Sequence, residues 1–273
     1  MGDDEFYKKY KEYLKYDIEK FIKMIKGIFR NSSDLVVRTI ETKKGNICIV
    51  CIDGLVEKDL LDRDIIKTLS NIEKKEQIPN VINVSQLETI EINLDFITKV
   101  LDGNVAIMCE KEENIYMVDI KSWVQRAVET PDSEVTIRGP KESFTETLRV
   151  NTSMLRRKIK NPNFIIENLR MGKQTNTLLA ICYIDGIVNM AVLEDLKCRL
   201  NQIDTDSILE TGYIEQYIED RPLIPIPTIG TTQKPDVAAA KILEGRIAII
   251  CDGTPFVATV PHLFFENFQT SED

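Results

Sequence analysis

Three Asp-Gly pairs, Asp53-Gly54, Asp185-Gly186 and Asp252-Gly253, each close a run of apolar, largely β-branched residues. Carboxylates at strand ends can meet a ligand amine, because sheets flanked by helices commonly bind ligands there. The same pairs also make good turns, since glycine takes positive φ and aspartate bonds its own backbone. A further candidate is Arg138, in Arg138-Gly139-Pro140 followed by Lys141 and Glu142. Its guanidinium could hold a ligand carboxylate bidentately, or pair with an acidic group and fix a junction. The candidate ligand-binding residues are therefore Arg138, Glu142, Asp53, Asp185 and Asp252.

A catalytic set is not visible. The single histidine, His262, follows Pro261 at the end of an expected strand. It reads as a surface or capping residue, because a general base needs a partner that the sequence does not identify. No glycine-rich phosphate cradle, nucleophile elbow or zinc-protease motif occurs, so no cofactor is expected and the chain does not read as an enzyme. Cys48 and Cys51 have C-x-x-C spacing, but on a strand an odd separation sends two side chains to opposite faces, which spoils a shared metal. Five of the six cysteines lie inside apolar runs and read as buried thiols in a reducing compartment.

The elements that position these residues form an internal repeat. CIVCIDGLV around Asp53 returns as AICYIDGIV around Asp185, and KVLDGNVAIMCE (Lys99 to Glu110) returns as KILEGRIAIICD (Lys241 to Asp252). Each copy is expected to hold a strand (Ile47 to Ile52; Leu178 to Ile184) and a helix (Lys58 to Leu69; Ala191 to Leu200). A second helix (Leu94 to Leu101; Asp236 to Leu243) should stop at a glycine, as helices often do. A second strand (Val105 to Cys109; Ile247 to Cys251) then enters a hairpin with Ile115 to Val118 or Phe256 to Val260. Between the copies lie a helix from about Ser143 to Ile159 and a strand near Phe164 to Arg170. The second copy is longer, and its extra residues fall in the proline-rich segment Arg221 to Pro235, which excludes regular helix and central strand. Residues 5–30 carry apolar residues at three- and four-residue spacing with lysines opposite, an amphipathic helix. It either packs on its own domain or contacts a partner or membrane.

The fold class expected is α/β: two similar subdomains from an internal duplication, each a mixed β-sheet with flanking helices. Expected boundaries are 1–34 for the N-terminal helix and linker, 35–130 for the first subdomain, 131–268 for the linker helix and second subdomain, and 269–273 for a connection onward. A net charge of −9 and a pI near 5.0 oppose a nucleic-acid partner, whose backbone would be repelled. There is no apolar run of about 18 residues or more and no signal-peptide core, so the chain as given is expected neither to span a membrane nor to be exported.

The segment RGPKESF (Arg138 to Phe144), followed by NTSMLRRKIKNP (Asn151 to Pro162), resembles the A subunits of spore germination receptors of the GerA family. The resemblance extends to YIDGIV (Tyr183 to Val188), ILETGYIEQYIED (Ile208 to Asp220), LEGRIAIICDGTPFV (Leu243 to Val257) and, upstream, NSSDLVVR (Asn31 to Arg38). It implies a region that precedes several membrane-spanning helices and works with B and C subunits at the spore inner membrane, on the side facing the spore core. It also implies a response to a small nutrient such as an amino acid, sugar or nucleoside. From the duplication and the resemblance together, a small molecule is expected between the two subdomains. The alternative is a scaffold that assembles receptor subunits without binding the nutrient.

Overall fold

A computed structural model describes residues 17–73, 77–84, 86–110, 112, 114–122, 141–219, 227–263 and 266. They divide into two compact units: the first runs to residue 122 and takes in Lys160–Pro162, and the second holds 141–159 and 163 onward. Arg138 and residues 221–226 of the proline-rich segment lie outside the described residues, as do residues 5–16 of the expected N-terminal helix.

In the first unit the order is α1 (Ile18–Ile28), β1 (Leu35–Thr42), β2 (Gly45–Ile52), then a helix α2 built of Lys58–Leu60, Leu61–Ile66 and Lys67–Ser70. The middle piece of α2 is a π-turn. There follow α3 (Ile78–Val81), β3 (Leu87–Ile90), α4 (Leu94–Leu101), β4 (Asn104–Cys109) and β5 (Ile115–Asp119). The second unit runs α5 (Leu148–Lys158), β6 (Phe164–Met171), β7 (Thr177–Ile184), α6 (Met190–Gln202), α7 (Thr211–Ile218), β8 (Gly230–Thr232), α8 (Pro235–Leu243), β9 (Ile247–Cys251) and β10 (Val257–Val260). The sheets have strand orders β1-β2-β4-β5-β3 and β6-β7-β9-β10-β8, the same topology twice.

The two similar α/β halves are as the sequence predicts, but the sheets are not mixed: every strand pair in both is antiparallel. The reason lies in β3 and β8, short edge strands that the apolar pattern does not announce. The β3–α4–β4 connection does join strands of like direction, but β5 sits between them and pairs antiparallel with each. The repeat is also longer than the motifs suggest. It includes the helix before the first strand, α1 in one half and α5 in the other.

The central strands β2, β4, β7 and β9 are buried nearly throughout, because helices cover both faces of each sheet. Cys48, Val50 and Ile52 share one core with Phe21 and Ile25 of α1 and Phe96 of α4. Ile47, Ile49 and Cys51 join the opposite core with Ile65 and Leu69 of α2. Cys48 and Cys51 thus do face opposite ways, and burial pushes both thiols up to about 12, Asp53 adding to the rise at Cys51. Helix α1 starts where the Asp17 carboxylate accepts the Lys20 N–H at 3.1 Å. It buries Ile18, Phe21, Met24 and Ile25 at the expected spacing, so its described part packs on its own unit. Gly103 and Gly245 end α4 and α8 at φ +92° and +93°. A Cβ at Gly103 would lie 2.7 Å from the Leu55 carbonyl oxygen, and at Gly245 2.9 Å from that of Ile187. Among the described residues no helix is long and apolar enough to cross a membrane.

Candidate functional site

The Asp-Gly pairs are turns at all three positions, with Gly54, Gly186 and Gly253 at φ +83°, +86° and +95°. The Asp53 N–H donates to the Asp34 carbonyl at 2.8 Å, and the Asp185 N–H to that of Asn163 at 2.9 Å, so each ties a strand end to the residue before its neighbouring strand. The Asp53 carboxylate lies 3.8 Å from Lys58. Asp252 acts differently, because its carboxylate accepts the Leu148 N–H at 2.9 Å and so caps α5. Glu142 accepts from Arg157 and lies 3.4 Å from Lys158, both in the last turn of α5. Glu142 and Asp252 thus position α5.

The structure assembles a different group of residues, in the first unit. A cavity of about 620 Å³ opens where β3, β4 and β5 meet α4, with Glu88, Asp95, Asp102, Asp119, Lys99, Lys121 and Asn104 in its wall. Lys99 donates to Glu88 and lies 3.5 Å from Asp95. The Glu88 bond, against the effect of burial, holds the Lys99 ammonium above its ordinary pKa. Lys121 lies 3.3 Å from Asp119, and Asp102 2.6 Å from Lys160, which belongs to this unit. Four carboxylates against two lysines on the wall favour an amine-bearing or polyhydroxylated molecule over an anion. The volume is within the usual range for small-molecule sites, about 300–1,000 Å³.

The same corner of the second unit is built differently. Positions 142 apart are equivalent, as the registers Glu88↔Met117 and Gly230↔Thr259 show. Lys241 takes the place of Lys99, Arg246 that of Asn104, and Gly230 that of Glu88. The carboxylate for Lys241 comes from Glu266, which lies 3.1 Å from it, accepts from Arg246, and is 3.3 Å from His262 Nδ1. His262 is therefore not a surface residue: its side chain is only 13% exposed. Burial works to raise the Glu266 pKa, but the bonds from Arg246, the Leu263 N–H and Lys241 outweigh it and hold the carboxyl down at about 2. No motif marks either corner. The signal lies in the repeat itself, where Lys99 and Lys241 stand at matching positions in KVLDGN and KILEGR. Among the described residues no group of three or more His, Cys, Asp or Glu could hold a metal ion.

Residues 23–273 match the family described as Bacillus/Clostridium GerA spore germination protein. The chain belongs to the GerA family. It is similar to spore germination protein KA of Bacillus subtilis (strain 168), with 38% identity over 89% of this chain and 46% of that protein. To spore germination protein GerLA of Bacillus cereus it is 29% identical, over 94% of this chain and 55% of the relative. This GerA-family chain spans about half the length of the curated relatives it matches. Its fold is that of the crystal structure of the N-terminal domain of the A subunit of the Bacillus megaterium spore germinant receptor GerK3. The TM-score is 0.68 and the identity 31%, over 92% of this chain and 97% of that one.

Proposed function

We propose that this domain is the N-terminal part of a germinant receptor A subunit and takes part in nutrient sensing, passing ligand occupancy to the membrane-associated remainder of the receptor. In this reading it works with B and C subunits at the spore inner membrane, on the core side. The observation that carries the sensing role is the open cavity of the first unit, whose wall sets four carboxylates beside two lysines. Such a wall suits the ammonium of an amino acid or the hydroxyls of a sugar or nucleoside.

Thermal unfolding against a panel of amino acids, sugars and nucleosides tests the proposal. A ligand at about 100 times its dissociation constant adds roughly 2.7 kcal/mol. The shift should appear with one compound and shrink in Glu88→Gln and Asp119→Asn. If no compound shifts the transition at millimolar concentration, and the domain instead associates as its concentration rises, the scaffold alternative takes its place.

A further inference from the structure

In the second unit, four ionisable side chains meet at one largely buried point: Lys241 from α8, Arg246 from the loop before β9, and His262 and Glu266 from the chain after β10. Their side chains are only 14%, 10%, 13% and 15% exposed. Three basic groups and the Leu263 N–H, at 2.9 Å, converge on the one Glu266 carboxylate. The nearby Glu244 meets only the outer side of Arg246, at 2.9 Å, and is 61% exposed. The wall behind this point is Gly230. A Cβ there would lie 2.7 Å from His262 Nδ1, 3.0 Å from Lys241 Nζ and 3.0 Å from Thr259 Oγ1.

The contrast between the halves gives the arrangement its meaning. In the first unit the strand residue Glu88 supplies the carboxylate to Lys99, and the corner beside them is open. In the second unit the strand residue is glycine, so the wall contributes no acid and leaves room for one. Glu266 lies after β10, outside the sheet; its carboxylate is held by the basic groups and its N–H by the Leu263 carbonyl at 3.0 Å. Because the strand carries no carboxylate here, the basic groups face a position that a free carboxylate can occupy.

We propose that Lys241, Arg246 and His262 form a carboxylate-binding site that the chain's own Glu266 fills, and that a small-molecule carboxylate competes for it. The ligand class is a compact carboxylate, since Gly230 closes the site behind the charge. Charge-assisted bonds from Arg246 and Lys241 supply the recognition. The inference is independent of the first-unit cavity, because it concerns other residues and a ligand of opposite charge.

Glu266→Ala removes a group the size of acetate, so acetate is the probe. The thermal midpoint of this variant should rise saturably with sodium acetate and not with sodium chloride at equal ionic strength. The rise should vanish when Lys241→Met and Arg246→Met are added. Amide exchange at Leu263 should quicken about tenfold in Glu266→Gln, which keeps the side-chain shape but weakens the charge-assisted bonds. An equal rise in chloride, no rise with acetate, or a rise that survives loss of both basic residues overturns the proposal. If Glu266→Ala does not fold, unchanged exchange at Leu263 in Glu266→Gln overturns it alone.

Discussion

Replacing Asp252 separates a carboxylate that caps a helix from one that binds a ligand. The N-cap residue of α5, Thr147, makes no side-chain capping bond. The Leu148 N–H instead finds Asp252 Oδ1 at 2.9 Å, from a residue 104 positions later. Removing a capping acceptor costs about 0.5–2 kcal/mol, and removing a negative charge from a helix N-terminus about 0.3–1 kcal/mol more. Asp252 is exposed, which places the sum for Asp252→Ala in the lower half, about 1.5 kcal/mol. Asp252→Asn keeps an oxygen acceptor and loses only the charge, about 0.5 kcal/mol. Urea unfolding in ligand-free buffer at neutral pH reads both, with the second unit's transition moving to lower denaturant. Equal losses in the two variants would refute the reasoning, as would an alanine variant as stable as the parent: either result means that the 2.9 Å contact contributes nothing as a cap.

Other outcomes follow from the same geometry. Gly103→Ala and Gly245→Ala each force a side chain into positive φ against a carbonyl oxygen and should cost about 1–3 kcal/mol by denaturant unfolding. Gly27→Ala, with nothing within 4 Å of its Cβ position, should stabilise α1 by up to about 1 kcal/mol. Cys198 is the exposed thiol and the other five are buried, so a thiol reagent at mildly alkaline pH should titrate one cysteine in the native protein and six after denaturation. The Glu266 carboxyl sits at about 2 in the fold against an ordinary 4.5. Its contribution is therefore complete above about pH 4.5 and is lost as pH falls toward 2. The stability difference between the parent and Glu266→Gln should shrink across that window.

Much of the architecture was legible in the residues. Continuous apolar runs such as NICIVCI and IAIIC suit strands covered on both faces, and that is what they form. The period of two alone put Cys48 and Cys51 on opposite faces. The duplication followed from two pairs of matching segments, and Gly103 and Gly245 marked the helix ends because only glycine tolerates that φ beside a carbonyl. Tertiary structure decided the rest. Strand direction depended on β3 and β8, edge strands too short and too polar to carry a pattern, and their placement made both sheets antiparallel. The roles of Asp252 and Glu142 depended on α5, which is far from Asp252 in sequence and turns that carboxylate into a cap. The corner sites depended on which residue faces Lys99 or Lys241 across the sheet edge: a strand glutamate in one half, and in the other a glycine with a carboxylate brought in from Glu266. Periodicity reports which side of an element is buried, whereas such pairings are set by the approach of distant segments, which no local spacing records.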